Sequence, residues 1–96
     1  MTETSLSDVN EYPSLLIVDD DQVFCDVLSK AMKKRGFSVM CSHAIEDALK
    51  LAEAASPEYA IVDLKLSSES GLVLVEQLKL VDPGTRIVML TGYASI

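Results

Sequence analysis

Leu15-Leu16-Ile17-Val18-Asp19-Asp20-Asp21-Gln22 sets four consecutive apolar residues directly against three carboxylates. A short unbroken apolar run bounded by polar residues is the mark of a strand buried on both faces, as in a parallel sheet. Three like charges at its exit repel one another and need compensation. The N-terminus of a following helix supplies part of it, and a hard cation held by oxygen ligands supplies more.

The chain on either side reads as alternating helices and strands. Over residues 20–35, Val23, Phe24, Val27, Leu28, Ala31 and Met32 recur at helical spacing. The basic turn Lys33-Lys34-Arg35 and then Gly36 close this helix, and Asp20 or Asp21 is placed to cap its start. Residues 37–41 predict a second strand. Ile45, Ala48, Leu49 and Ala52 mark a second helix that Ser56-Pro57 ends. Residues 59–62 predict a third buried strand running into Asp63, followed by the polar loop Ser67-Ser68-Glu69-Ser70-Gly71. Leu72, Val75 and Leu78 are expected on the buried side of a third helix that stops before Asp82-Pro83-Gly84. Residues 87–90 predict a fourth strand buried on both faces, followed by Thr91-Gly92. Residues 1–13, polar and without periodicity, read as a loose tail.

Ninety-six residues suit one domain with a single core. A net charge of −7 argues against nonspecific nucleic-acid binding, because a duplex repels an acidic surface. No apolar run reaches membrane-spanning length and the N-terminus carries no signal peptide, so a cytoplasmic location is expected. Cys25 and Cys41 are too few for a disulfide framework or a zinc site, and their apolar neighbours favour buried thiols over redox sensing. His43 has no ligand set around it.

Strands alternating with helices imply right-handed crossovers and a doubly wound parallel sheet with helices on both faces. Ligands of such sheets bind beyond the carboxyl ends of the strands. That rule gathers Asp19, Asp20 and Asp21, then Asp63, then Thr91, onto one edge. Clustered acidic oxygens with a hydroxyl nearby suit Mg²⁺, which keeps several waters and takes few protein carboxylates. A carboxylate beside such an ion can also act as a nucleophile towards phosphorus.

Ile17-Val18-Asp19-Asp20, Ile61-Val62-Asp63, the Gly71-Leu72 pair and Val88-Met89-Leu90-Thr91-Gly92 together resemble the receiver domain of bacterial two-component response regulators. Within that family, Val62-Asp63-Leu64-Lys65-Leu66 and Leu90-Thr91-Gly92-Tyr93 look most like the redox-responsive regulators of photosynthesis and respiration called PrrA, RegA and ActR. The resemblance implies a flavodoxin-like fold with strand order 2-1-3-4 over residues 14–96. It implies Asp63 as phosphoacceptor and Mg²⁺ held by Asp20, Asp63 and the Lys65 backbone carbonyl, with Asp19 assisting through water. Thr91 would hold the phosphoryl group and act as the switch hydroxyl, with Gly92 leaving room for it. The partner would be a sensor histidine kinase. DNA would be met only through a C-terminal output domain outside this chain. Ser67 stands where receivers usually carry proline.

Receivers also continue into a fourth helix, a fifth strand bearing a lysine and a fifth helix. The sequence therefore reads as a receiver incomplete at its C-terminus, expected to self-associate through its fourth strand or to belong to a longer protein. A rival reading fits Asp19-Asp20-Asp21-Gln22-Val23 to the nucleophile loop of haloacid-dehalogenase-type phosphatases. There Asp19 would be the nucleophile and Asp21 the acid/base, Leu90-Thr91 would be the second motif, and Asp63 would be incidental.

Overall fold

The computed structural model describes residues 12–66 and 70–90. Most of the expected tail, Ser67, and the candidate residues Thr91 and Gly92 lie outside the described residues. The element order is β1 (Ser14–Val18), α1 (Gln22–Lys34), β2 (Ser38–Ser42), α2 (Ile45–Ala55), β3 (Tyr59–Asp63), α3 (Gly71–Val81) and β4 (Arg86–Leu90). The four strands form one sheet in the order β2-β1-β3-β4, every pairing parallel. The expected doubly wound architecture and strand order are therefore present.

β1 explains why its apolar run is continuous. Leu15 and Ile17 pack on one face of the sheet with Cys25, Leu28 and Met32 of α1. Leu16 and Val18 pack on the other with Ala48 and Ala52 of α2 and Leu74 and Leu78 of α3. Both faces of the strand are covered, so alternation with polar residues would bury unpaired groups. Each such aliphatic side chain, removed from water, stabilises the fold by about 1.5–3 kcal/mol.

The helix ends follow local chemistry. The Asp21 carboxylate accepts from the Phe24 amide at 3.0 Å and caps α1. At the other end the Gly36 amide donates to the Lys33 carbonyl and the Phe37 amide to the Met32 carbonyl, a Schellman arrangement that Gly36 permits at φ 97°. Phe37 is thereby spent on the turn, where its ring meets Tyr59 edge-on, and β2 begins one residue later than expected, at Ser38. Ser56 ends α2 in the left-handed region, its amide donating to Ala52, and Pro57 blocks continuation.

Two sequence expectations need correction. Gly71 is the first residue of α3 rather than part of the loop, because Ser70 caps the helix by accepting from the Leu72 amide at 3.1 Å. The inward stripe is Gly71, Leu74 and Leu78, with Val75 half-buried and Leu72 exposed. The run Leu72-Val73-Leu74-Val75 is apolar all round, so the side facing the sheet is decided by packing against β3, not by hydropathy. The second correction concerns β4, expected to be buried on both faces. Among the described residues it pairs only with β3 at the sheet margin, and Val88 and Met89 remain about half exposed, at 54% and 48%.

Candidate functional site

β1 and β3 are neighbours in register, with Val18 opposite Val62, so the two chains leave the sheet side by side. Asp19 directly follows Val18, and its amide extends the ladder by donating to the Ser42 carbonyl at 3.1 Å. Asp63 is the last residue of β3, in register with Leu90 of β4. Both carboxylates are almost completely buried, each residue only 1% exposed, while Asp20 stands at the open side. One carboxylate oxygen from each of Asp19, Asp20 and Asp63 falls within 4.8 Å of the others. Asp21, next in sequence, is instead turned to the helix as its cap.

The two buried carboxylates are held in the same way. The Asp21 amide donates to Asp19 Oδ1 at 2.9 Å, and the Lys65 amide donates to Asp63 Oδ1 at 2.9 Å. Each side chain is thus fixed by its own backbone two residues on, which makes the cluster rigid before any ion arrives. Lys65 also forms an isolated antiparallel bridge with Ser70, closing the loop back onto the start of α3. There Gly71 donates to the Leu64 carbonyl at 3.1 Å.

The backbone of Asp19 has two further contacts that sequence reasoning missed. His43 Nδ1 lies 2.9 Å from the Asp19 carbonyl, and Cys25 Sγ donates to the same oxygen at 3.4 Å. These contacts span 24 and 6 residues and join three elements, so no local spacing could have signalled them.

Burial is the main force raising the Asp19 pKa above its ordinary 3.8; the Asp21 amide opposes it, and the charges of Asp63, Asp20 and Asp21 add to it. The folded, metal-free protein therefore binds this proton more tightly than the unfolded chain. That contribution to stability is complete below the unfolded pKa and is lost as pH rises through the folded one. At neutral pH the buried charge is a net cost unless a cation sits there. Asp19→Asn keeps an Oδ1 for the Asp21 amide and removes the charge. We expect the metal-free variant to melt roughly 2–6 °C higher at neutral pH, by differential scanning calorimetry, and to gain less from added Mg²⁺ than the parent. A lower melting point in the metal-free variant would show that the Asp19 charge is compensated within the fold.

An all-oxygen set of three carboxylates, without imidazole or thiolate among the donors, suits a hard divalent cation. The same edge can therefore hold both an ion and an anionic group carrying it.

Residues 15–96 match the family described as response regulator receiver domain. Among curated relatives, the photosynthetic apparatus regulatory protein RegA of Rhodovulum sulfidophilum is 45% identical over 89 residues, covering 93% of this chain and 49% of RegA. The acid tolerance regulatory protein ActR of Rhizobium meliloti is 41% identical over 83 residues, covering 86% of this chain and 43% of ActR. The chain thus spans about half the length of the curated relatives it matches. A response regulator from Burkholderia pseudomallei, crystallised with a phosphorylated aspartic acid, a calcium ion and citrate, superposes with a TM-score of 0.82 at 43% identity. The match covers 88% of this chain and 49% of that one. A CheY-like receiver domain from Methanospirillum hungatei gives 0.83 at 30% identity, covering 90% of this chain and 69% of that one. The phosphatase reading finds no support in these matches, and the capping role of Asp21 occupies the side chain that reading needs as its acid/base. Among the described residues no helix is long and apolar enough to cross a membrane.

Proposed function

The chain belongs to the response regulator receiver-domain family, and from that premise we propose that Asp63 takes up a phosphoryl group on its carboxylate beside a Mg²⁺ ion. The observation that carries the reading is the convergence of Asp19, Asp20 and Asp63 at the adjoining ends of β1 and β3. Asp20, Asp63 and the Lys65 carbonyl would hold the ion, with Asp19 supporting it through water. When bound, Mg²⁺ neutralises negative charge on the transferring group.

The chain's own residues do the positioning. The Lys65 amide fixes one oxygen of Asp63 and so orients the carboxylate. Asp63 attacks phosphorus, a bond forms between a carboxylate oxygen and phosphorus, and the donor leaves with the electrons of its own bond. Burial of Asp19 and Asp63 keeps bulk water from the new acyl phosphate. Thr91 would then hydrogen-bond the phosphoryl oxygens, with Gly92 leaving space for them. The chain is a signalling phosphoacceptor on this reading, not a turnover enzyme.

The receiver would occupy residues 14–96 and act in the cytoplasm, with a sensor histidine kinase as donor. Output would be transcriptional, through a DNA-binding domain in a longer protein of the kind RegA and ActR represent. A second copy is a further expected partner, through the half-exposed Val88 and Met89 of β4.

The test is to incubate the protein with Mg²⁺ and a small phosphodonor such as acetyl phosphate, trap the acyl phosphate by borohydride reduction, and map it by mass spectrometry. The label is expected on Asp63. A label on Asp19 would replace this reading with the phosphatase one.

A further inference from the structure

The loop between β2 and α2 grips the acidic loop by its backbone. The Asp19 amide donates to the Ser42 carbonyl at 3.1 Å, and the Asp19 carbonyl lies 2.9 Å from Nδ1 of the next residue, His43. Two adjacent residues therefore hold both backbone groups of Asp19. A carbonyl oxygen only accepts, so the hydrogen belongs to Nδ1. That nitrogen carries a hydrogen in one neutral tautomer and in the imidazolium alike, so the contact does not depend on the charge of the ring. The Cys25 thiol reaches the same oxygen at 3.4 Å and is the weaker donor. His43 Nδ1 and Cys25 Sγ stand 3.8 Å apart, two donors converging on one acceptor.

The gripping loop is itself braced. Ser42 is buried, and its hydroxyl donates to the Ala44 carbonyl at 2.9 Å and accepts from the Ala44 amide at 3.4 Å. His43, between them, is exposed, yet its ring is turned onto the backbone of a buried residue.

We propose that His43 is a positioning residue for the cation: through Nδ1 it fixes the Asp19–Asp20 peptide, and so the direction in which Asp20 meets the ion.

The Asp19 carbonyl and the Asp20 amide belong to one planar unit. Fixing that carbonyl sets the plane from which the Asp20 side chain departs. The Asp19 and Asp63 carboxylates are held separately, by the Asp21 and Lys65 amides. Of the three clustered carboxylates, His43 thus bears on the one at the open side. Mg²⁺ accepts little departure from octahedral geometry, so a ligand on a swinging base holds it less well. His43 acts on the ion from outside the carboxylate set, through a peptide and without being a ligand. This role towards the ion rests on the metal-site reading above, whereas the hold on the Asp19 carbonyl stands on the geometry alone.

The test compares the parent with His43→Asn, His43→Leu and Ser14→Ala, each ¹⁵N-labelled, by nuclear magnetic resonance titration with Mg²⁺. The Asn amide nitrogen sits where Nδ1 does and keeps the donor, whereas Leu removes it. Ser14→Ala deletes a bond of the same kind, from the Glu58 amide to the Ser14 hydroxyl at 2.9 Å, at the amino ends of β1 and β3. His43→Leu should bind Mg²⁺ about fivefold more weakly, the scale of one net hydrogen bond. Its Asp20 and Asp21 amide signals should already move before any Mg²⁺ is added. His43→Asn and Ser14→Ala should stay within about twofold of the parent, inside the range of a single modest hydrogen bond. The ring signals of the parent should show the neutral imidazole protonated at Nδ1. Parent affinity in His43→Leu, no recovery in His43→Asn, an equal loss in Ser14→Ala, or a neutral ring protonated at Nε2 would each overturn the proposal. If the parent bound no Mg²⁺ at all, the metal-site reading would fail and the role of His43 towards the ion with it. The hold on Asp19 would still be judged by the ring and amide signals.

Discussion

Asp63→Asn is expected to abolish phosphoryl uptake from a small donor in the presence of Mg²⁺, a loss of at least about a hundredfold in labelling rate, while leaving the fold intact. The substitution is nearly isosteric, and the oxygen of the new carboxamide can still accept from the Lys65 amide that holds Oδ1 in the parent. What disappears is the nucleophile, because an amide oxygen does not form an acyl phosphate. One of the three clustered charges disappears as well, so Mg²⁺ affinity should fall on the order of tenfold, in keeping with a lost charged ligand. Asp19→Asn should behave differently, slowing the uptake without preventing it, since Asp19 supports the ion and is not the acceptor. Asp47→Asn, on the exposed first turn of α2, is the control and should label like the parent. The measurement is acyl-phosphate formation followed by phosphate-affinity electrophoresis, with circular dichroism to show that each variant is folded. Full labelling of the Asp63→Asn protein would place the acceptor elsewhere.

The carboxylate set was legible because topology does most of the work. Residues 15–18 and 59–62 are apolar at every position, which only a strand covered on both faces demands, and each run breaks at an aspartate. Parallel pairing of β1 with β3 then forces the two breaks to the same edge. Other features depended on contacts that no window of sequence contains. The turn of α3 about its axis was misread at Leu72, because four apolar residues in succession leave hydropathy without a direction. His43 and Cys25 hold the Asp19 carbonyl from a loop and a helix, and each looked unremarkable among its own neighbours. The half-exposed β4 has the composition of a central strand, and composition records what a strand can bury rather than what covers it.

Gly71→Ala is expected to be the most damaging change outside the carboxylates, because of where a methyl group would have to go. A Cβ at Gly71 would overlap the Asp63 carbonyl oxygen and lie 2.7 Å from Leu64 Cα and 3.0 Å from the Asp63 carbonyl carbon. All three are backbone atoms, so no side chain can rotate away; either α3 lifts from the sheet or the exit of β3 shifts. The Gly71 amide bond to the Leu64 carbonyl locks the same junction and would be stretched by either movement. Overpacking against backbone at a buried site costs about 3 kcal/mol, so the melting temperature should fall by on the order of 10 °C or more. Gly36→Ala provides the contrast. Its φ of 97° strains any side chain, but nothing lies within 4 Å of the added carbon, so the cost should stay near about 1 kcal/mol. The two variants should also separate in function. Gly36 ends α1 far along the chain from the carboxylates, and its variant should bind Mg²⁺ like the parent once folded. Gly71 touches the peptide of Asp63 itself, so its variant should lose Mg²⁺ affinity and phosphoryl uptake even at temperatures where circular dichroism reports it folded. Equal melting temperatures for the two variants, or normal uptake by Gly71→Ala, would show that the junction between β3 and α3 yields far more easily than its backbone contacts imply.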